Sequence, residues 1–202
     1  MEASHGLLII LSGPSGAGKG TLCRELLRLL PDLTYSVSAT SRAPRPGEIE
    51  GVHYFFRTRE EFETMIASGE LLEWTEFCGN YYGTPLFAVQ QALVAGKDVI
   101  LEIEIQGARQ VKKLFPQGVF IFVVPPSLEV LVQRIHQRGT ESEEIIQKRL
   151  AQARAELERI SDYEYVVVND EVPAAVEKLR CILVAEKCRI KRKPFVFKEA
   201  GS

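Results

Sequence analysis

The stretch Gly13-Pro-Ser-Gly-Ala-Gly-Lys-Gly-Thr21 contains the residue types that bind a chain of phosphates. Glycines accept positive backbone φ and let main-chain N–H groups approach an anion closely. An amide cage of this kind, backed by the N-terminus of a following helix, holds negative oxygens without any side chain. Lys19 adds a mobile positive charge within reach of the β- and γ-phosphates of a nucleoside triphosphate. Gly13, Pro14, Ser15, Gly16, Ala17, Gly18, Lys19, Gly20 and Thr21 are therefore expected to form a triphosphate loop. The alternative is a glycine-rich turn without a ligand. A hydrophobic run before the loop and a helical pattern after it argue against that. The residue after the lysine is ordinarily Ser or Thr, whose hydroxyl reaches Mg2+; here it is Gly20. Direct coordination of Mg2+ by a side chain at this position is therefore not expected, and no protein metal ligand is assigned.

A second constellation follows. In Ser36-Val-Ser-Ala-Thr-Ser-Arg-Ala-Pro-Arg-Pro-Gly47, Pro44 and Pro46 exclude a helix and stiffen a loop that carries Arg42 and Arg45. Two guanidinium groups on a rigid loop suit a dianionic phosphate, gripped in bidentate fashion. An ordinary loop with two solvated arginines is the competing reading. Arg134 and Arg138 stand i, i+4 on a helical pattern that Gly139 ends. Thr140 and Glu143 have capping-box spacing for the next helix, which carries Arg149. This reads either as a helical lid over about 134–150 or as a solvated hairpin with its arginines paired to acids such as Glu144.

The elements that must position these groups alternate. Gly6–Leu11 reads as a buried strand and Lys19–Leu30 as a helix. Asp98–Ile105, Val119–Val124 and Tyr165–Val168 read as strands. Helical patterns cover about Gln106–Leu114, Ser127–Arg138, Glu141–Ile160 and Val172–Cys188. Such alternation predicts an α/β fold with a parallel sheet core flanked by helices. On the predicted strand 98–105, Glu102 and Glu104 share one face, near the carboxyl end where open α/β sheets bind ligands. A salt bridge to a nearby Arg or Lys is the other reading of that acidic pair. Between about 35 and 84 the rhythm breaks into the short aromatic pieces Tyr54–Phe56 and Leu71–Phe77. A helix lies between them, started by Thr58 with Glu61 three residues on. This predicts a small mixed lobe inserted into one domain spanning 5–190, with core segments 5–34 and 85–190.

Composition excludes several classes. The 202 residues are 46% hydrophobic, enough for a packed core. A formal net charge of −2 argues against a nucleic-acid polymer as partner. Cys23, Cys78, Cys181 and Cys188 form no Cys-x-x-Cys pair, which speaks against structural zinc and fits reduced thiols in a cytoplasmic protein. Neither Leu7–Leu11 nor Val119–Val124 is long enough for a signal peptide or a membrane span, so no membrane partner is expected.

Taken in order, the phosphate loop, the 36–47 loop, Gly51-Val-His-Tyr54, Leu72-Glu-Trp74, Gly79-Asn-Tyr-Tyr-Gly-Thr84, Glu102-Ile-Glu-Ile-Gln-Gly107, Gly139-Thr-Glu-Ser142 and Val168-Asn-Asp170 resemble the guanylate kinase family, in its bacterial, catalytic branch. The resemblance runs from the phosphate loop to the last helix. It implies transfer of the γ-phosphoryl group of ATP to GMP, with Mg2+ held mainly by the phosphates and water. It further implies that Arg42, Arg45, Tyr54 and Tyr82 hold the GMP phosphate, with Glu102 close to it. Ser38, Glu73, Thr84 and Glu104 would read the guanine edge. Arg134, Arg138 and Arg149 would clamp the transferring group, and Asn169 would lie near the adenine of ATP. Many members have Asp where this chain has Glu102 and Glu104, so the longer side chains shift the reach of the charge. The chemistry of a carboxylate agrees with the reading of Glu73: it accepts from both N1–H and the 2-amino group of guanine, whereas adenine presents a bare N1 acceptor. Glu73 as a surface carboxylate beside Trp74 is the alternative. Two rival functions remain at this point: a non-catalytic guanylate-kinase-like module that binds phosphopeptides, and a kinase for another monophosphate such as AMP or dTMP. The intact Gly13, Gly18 and Lys19 weigh against the first.

Overall fold

The computed structural model describes residues 6–77, 79–136, 143–190 and 192. Five parallel strands form the core sheet: β1 (Leu8–Ser12), β2 (Leu33–Tyr35), β7 (Asp98–Glu102), β8 (Val119–Val124) and β9 (Tyr165–Val168), in the order β2-β7-β1-β8-β9. Six helices flank or extend it: α1 (Lys19–Leu29), α3 (Leu86–Val94), α4 (Ile105–Leu114), α5 (Leu128–His136), α6 (Glu143–Leu157) and α7 (Val172–Lys187). A parallel sheet with both faces covered needs near-continuous apolar strands, and β1 and β8 supply them. Alternate residues of β1 serve opposite layers. Leu7, Ile9 and Leu11 pack with Leu22 and Leu26 of α1 and with Leu179 of α7. Leu8 and Ile10 pack with Val89 and Leu93 of α3 and with Val111 of α4.

A second, four-stranded sheet holds β3 (Ala39–Thr40), β4 (Phe55–Phe56), β5 (Leu71–Phe77) and β6 (Asn80–Pro85), in the order β4-β3-β6-β5. Its pairing is mixed: β3 runs parallel to β4, while β6 runs antiparallel to both β3 and β5. Helix α2 (Arg59–Ala67) packs Phe62 into this unit. Its start has the predicted capping box: the Thr58 hydroxyl accepts from the Glu61 amide, and Glu61 accepts from the Thr58 amide.

The strand predicted over 98–105 is shorter. It pairs with β1 as far as Leu11↔Glu102, and β1 then turns away at Gly13, so the strand loses its partner. The chain bends through Ile103, and Glu104 becomes the N-cap residue of α4. Glu102 and Glu104 therefore do not stand on one strand face. Glu102 ends a strand, and Glu104 opens a helix without a side-chain capping bond. Strands β2, β3 and β6 and helix α3 have no counterpart in the sequence reading. Two or three residues carry no period, and β6 is written in turn-forming residues such as Asn80, Gly83 and Pro85. The lid helices were expected over 127–138 and 141–160; α5 and α6 are seen at 128–136 and 143–157, and the connection between them lies outside the described residues.

Candidate active site

The phosphate loop leaves the carboxyl end of the central strand. Gly13, Gly16 and Gly18 have φ of 140°, 91° and 89°. A side chain at Gly13 would place its Cβ 2.1 Å from the Val123 carbonyl oxygen, so strand β8 presses directly on the turn. The Ala17 amide donates to the Pro14 oxygen at 3.1 Å. Helix α1 starts at Lys19 with no side-chain cap and no acidic residue in its first turn, so its positive end is left for an anion. The Lys19 ammonium is buried and donates to the Gly13 and Pro14 oxygens at 2.5 and 3.4 Å, inside the curve of the loop. Gly20 follows in the first helical turn, where a Cβ would meet Glu102 Oε2 at 3.3 Å. Ser15 and Thr21 are half-buried on the same loop.

Two further residues brace the loop from behind. Asn169 is buried and donates from Nδ2 to the Ala17 oxygen at 2.8 Å, while its Oδ1 has no partner. Gly18 lies against the same amide: a Cβ there would sit 2.3 Å from Asn169 Nδ2. Arg134 of α5 donates from Nη2 to the Asn169 carbonyl at 3.0 Å, and its buried Nη1 is unpaired. The structure thus joins Asn169 and Arg134 to the 13–21 loop. Arg149 lies on α6, but its side chain, like the whole of Arg138, lies outside the described residues. Glu143 opens α6, while Thr140, and with it the expected capping box, lies outside them too.

Opposite the loop is a cleft of about 220 Å³. Lys19 and Gly20 line one wall, Ser38 and Tyr54 another, and Glu102 and Glu104 stand at the end of the sheet. Arg42 and Tyr54 meet beside it, with the guanidinium carbon 5.5 Å from the ring centroid. Tyr82 packs edge-on to Tyr54 at 6.0 Å, and its hydroxyl interacts with Arg42. The side chain of Arg45 is exposed. Glu48, which the sequence reading passed over, organises this corner. Arg42 Nη2 donates to both of its carboxylate oxygens at 2.9 and 3.0 Å, and the Arg45 amide donates to Oε2 at 2.7 Å. That amide, followed by Arg42, holds Glu48 below the usual carboxylate range. A signal was present: Arg45-Pro-Gly-Glu48 has Pro and Gly where a type II turn requires them, and Gly47 has φ 84°.

Glu73 is buried, 4% exposed, which removes the reading of it as a surface carboxylate. Its cross-strand partner is Thr84, whose hydroxyl donates to Oε1 at 2.7 Å. Burial first, and then the charge of Glu104, push the Glu73 carboxyl up to about 7 despite that bond. Tyr35, also missed from sequence, hydrogen-bonds Glu102 and lines the cleft. The arrangement puts a cationic anion cage on one side of the cleft and Ser38, Tyr54, Glu102 and Glu104 on the other, with Arg42 beside Tyr54 and with Glu73 and Thr84 outside the lining. That can hold two anionic ligands face to face and neutralise charge passing between them.

Comparison with known proteins agrees with this chemistry. The sequence profile of the family described as guanylate kinase matches residues 5–186. Over 197 residues the chain is 74% identical to a guanylate kinase of Desulfitobacterium hafniense (strain Y51), with 98% of each chain covered. It is 56% identical over 192 residues to a guanylate kinase of Halalkalibacterium halodurans, covering 95% of this chain and 94% of the relative. The crystal structure of guanylate kinase from Anaplasma phagocytophilum is similar with a TM-score of 0.79 at 33% identity, covering 94% of this chain and 90% of that one.

Proposed function

The chain belongs to the guanylate kinase family, and from that premise we infer how its residues carry out the ATP-dependent phosphorylation of GMP to GDP. We propose direct in-line transfer. An oxygen of the GMP phosphate attacks the γ-phosphorus of ATP, the bond to the β,γ-bridging oxygen breaks, and ADP leaves with the electron pair. The attacking oxygen is already ionised, so no general base is needed. Catalysis then rests on positioning and charge neutralisation. The observation that carries the reading is the single cleft bounded by Lys19 on one side and by Ser38, Tyr54, Glu102 and Glu104 on the other.

In this reading the 13–21 loop cradles the ATP phosphates, Lys19 reaches the β- and γ-oxygens, and the unpaired Nη1 of Arg134 is a ready donor to the transferring group. Arg138 and Arg149 complete the clamp, and Asn169 supports the ATP side. Arg42, Arg45, Tyr54 and Tyr82 bind the GMP phosphate, while Ser38, Glu73, Thr84 and Glu104 read guanine. The segments 35–84 and 134–150 act as acceptor lobe and lid on a core of 5–34 and 85–190, closing to exclude water. Mg2+, when bound with ATP, would supply neutralisation of phosphate charge. The residues fit that role in one way: Gly20 brings no hydroxyl, so phosphates and water would hold the ion, while the Glu102 carboxylate beside Gly20 would stand close to the GMP phosphate and could accept from that water. A cytoplasmic location belongs to the same proposal. Among the described residues no helix is long and apolar enough to cross a membrane.

The test is ADP release with ATP and a panel of GMP, AMP and dTMP. Turnover restricted to GMP is expected. Turnover with AMP and none with GMP would overturn the guanine reading, and no turnover with any acceptor would favour a binding module.

A further inference from the structure

Gly107 is the third residue of α4, inside a helix that has no backbone need for it. Its φ is not positive, and glycine destabilises a helix interior relative to alanine. The reason is a neighbour. The three heavy atoms nearest to a Cβ built at Gly107 all belong to Glu73: Oε2 at 2.2 Å, Cδ at 2.9 Å and Cγ at 3.3 Å. The Glu73 carboxylate therefore occupies the space that any side chain at position 107 would fill. One turn later, Gln110 takes hold of the strand itself. Its Oε1 accepts from the Trp74 amide at 3.2 Å, and its Nε2 donates to the Trp74 carbonyl at 2.6 Å. Strand β5 lies at the edge of its sheet, so these main-chain groups have no strand partner on that side. Thr75 adds a hydrogen bond to Gln106 Oε1 at 3.1 Å. Helix α4 is in turn rooted in the core through Ala108 and Val111.

We infer that Gly107 and Gln110 are positioning residues that set acceptor specificity. Gly107 leaves the space in which the Glu73 carboxylate stands, and Gln110 fixes the backbone beside it. The inference rests on Glu73 being the guanine reader. The position of that carboxylate is set from the core helix, across the boundary between the two sheets. With Oε1 tied to Thr84 and Oε2 seated against Gly107, a methyl group at position 107 moves the flexible carboxylate, since the helix cannot yield.

The experiment compares Gly107→Ala, Gln110→Ala, Glu73→Ala and the double variant Gly107→Ala/Glu73→Ala. Each is assayed as kcat/KM with GMP and with inosine monophosphate, which lacks the 2-amino donor. KM for ATP and the melting temperature are read alongside. Gly107→Ala is expected to reduce the GMP-to-inosine-monophosphate ratio about tenfold or more, with KM for ATP unchanged. Because alanine favours the helix, the fold is expected to hold. In the Glu73→Ala background the same substitution is expected to have no further effect on the ratio. Gln110→Ala is expected to raise KM for GMP about threefold or more at constant kcat and constant KM for ATP. If Glu73→Ala collapses the ratio while Gly107→Ala preserves it, or if Gly107→Ala acts equally in both backgrounds, the inference fails and the acceptor reading stands. If Glu73→Ala itself leaves the ratio intact, the acceptor reading fails and the inference falls with it. Should Gly107→Ala not fold, an unchanged KM for GMP in Gln110→Ala overturns the inference.

Discussion

In the proposed role Glu73 accepts two hydrogen bonds from a base, which requires its ionised form, and it is held where ionisation is costly. Its neighbours are the Thr84 hydroxyl on β6, the acidic Glu104 at the start of α4, and the backbone of Gly107. Burial, followed by the Glu104 charge, raises its carboxyl from 4.5 to about 7. Between those two values the folded chain binds a proton there that the unfolded chain has lost. Glu73 therefore subtracts from stability as pH rises through that window. The proposed guanine contact has the opposite sign, because only the ionised form accepts from both N1–H and the 2-amino group. KM for GMP is thus expected to rise as pH falls below about 7, by up to about tenfold per unit once the group is mostly protonated. Glu73→Gln is expected to raise KM and flatten the profile. Initial rates across that pH range check this, and a flat profile for the unmodified chain would contradict it.

Among the elements, the loop between β3 and β4 carries Arg42 and Arg45 on irregular backbone. A type II turn at Arg45–Glu48 folds it back, and the Glu48 carboxylate ties Arg42 Nη2 to the Arg45 amide. A loop fixed this way presents the Arg42 guanidinium in one orientation against Tyr54, so little ordering is left for the ligand to impose. Glu48→Ala is expected to raise KM for GMP about tenfold or more, through misplacement of Arg42, while KM for ATP stays within about twofold. Steady-state kinetics with each substrate varied in turn distinguish this from a general loss of fold, which would move both constants. The same pair shows how far local sequence reading reaches. Pro44 and Pro46 announced a stiff loop and the two arginines announced an anion. The acid that organises them was passed over, because an exposed-looking Glu in a polar turn carries no pattern of its own.

At the scale of the whole molecule, the cleft lies where the carboxyl ends of β1 and β7 open toward the second sheet, so the proposed donor and acceptor sites belong to different sheets, which also touch where α4 packs on β5. A ligand that binds the folded chain stabilises it by about 2.7 kcal/mol at a hundred times its dissociation constant. For a chain of this size that corresponds to a rise in melting temperature of about 5–10 °C. Calorimetry with GMP alone, and with a non-hydrolysable ATP analogue and Mg2+ alone, is expected to give such a rise in each case, with the GMP effect abolished by Glu73→Ala and the analogue effect retained. Loss of both effects in that variant would mean that the two sites are not separate. Much of this architecture was legible from sequence. The phosphate loop needs positive φ at Gly13, Gly16 and Gly18 between a strand and a helix, which is local chemistry, and the parallel sheet needs apolar strands alternating with helices, which is local periodicity. Only the tertiary structure decided that the strand carrying Glu102 stops there and leaves Glu104 to open a helix. The same is true of Glu73, which lies buried between Thr84 and Gly107. These outcomes depend on residues far apart in the chain meeting across two sheets, and neither residue type nor spacing encodes which distant backbone will stand beside a given carboxylate.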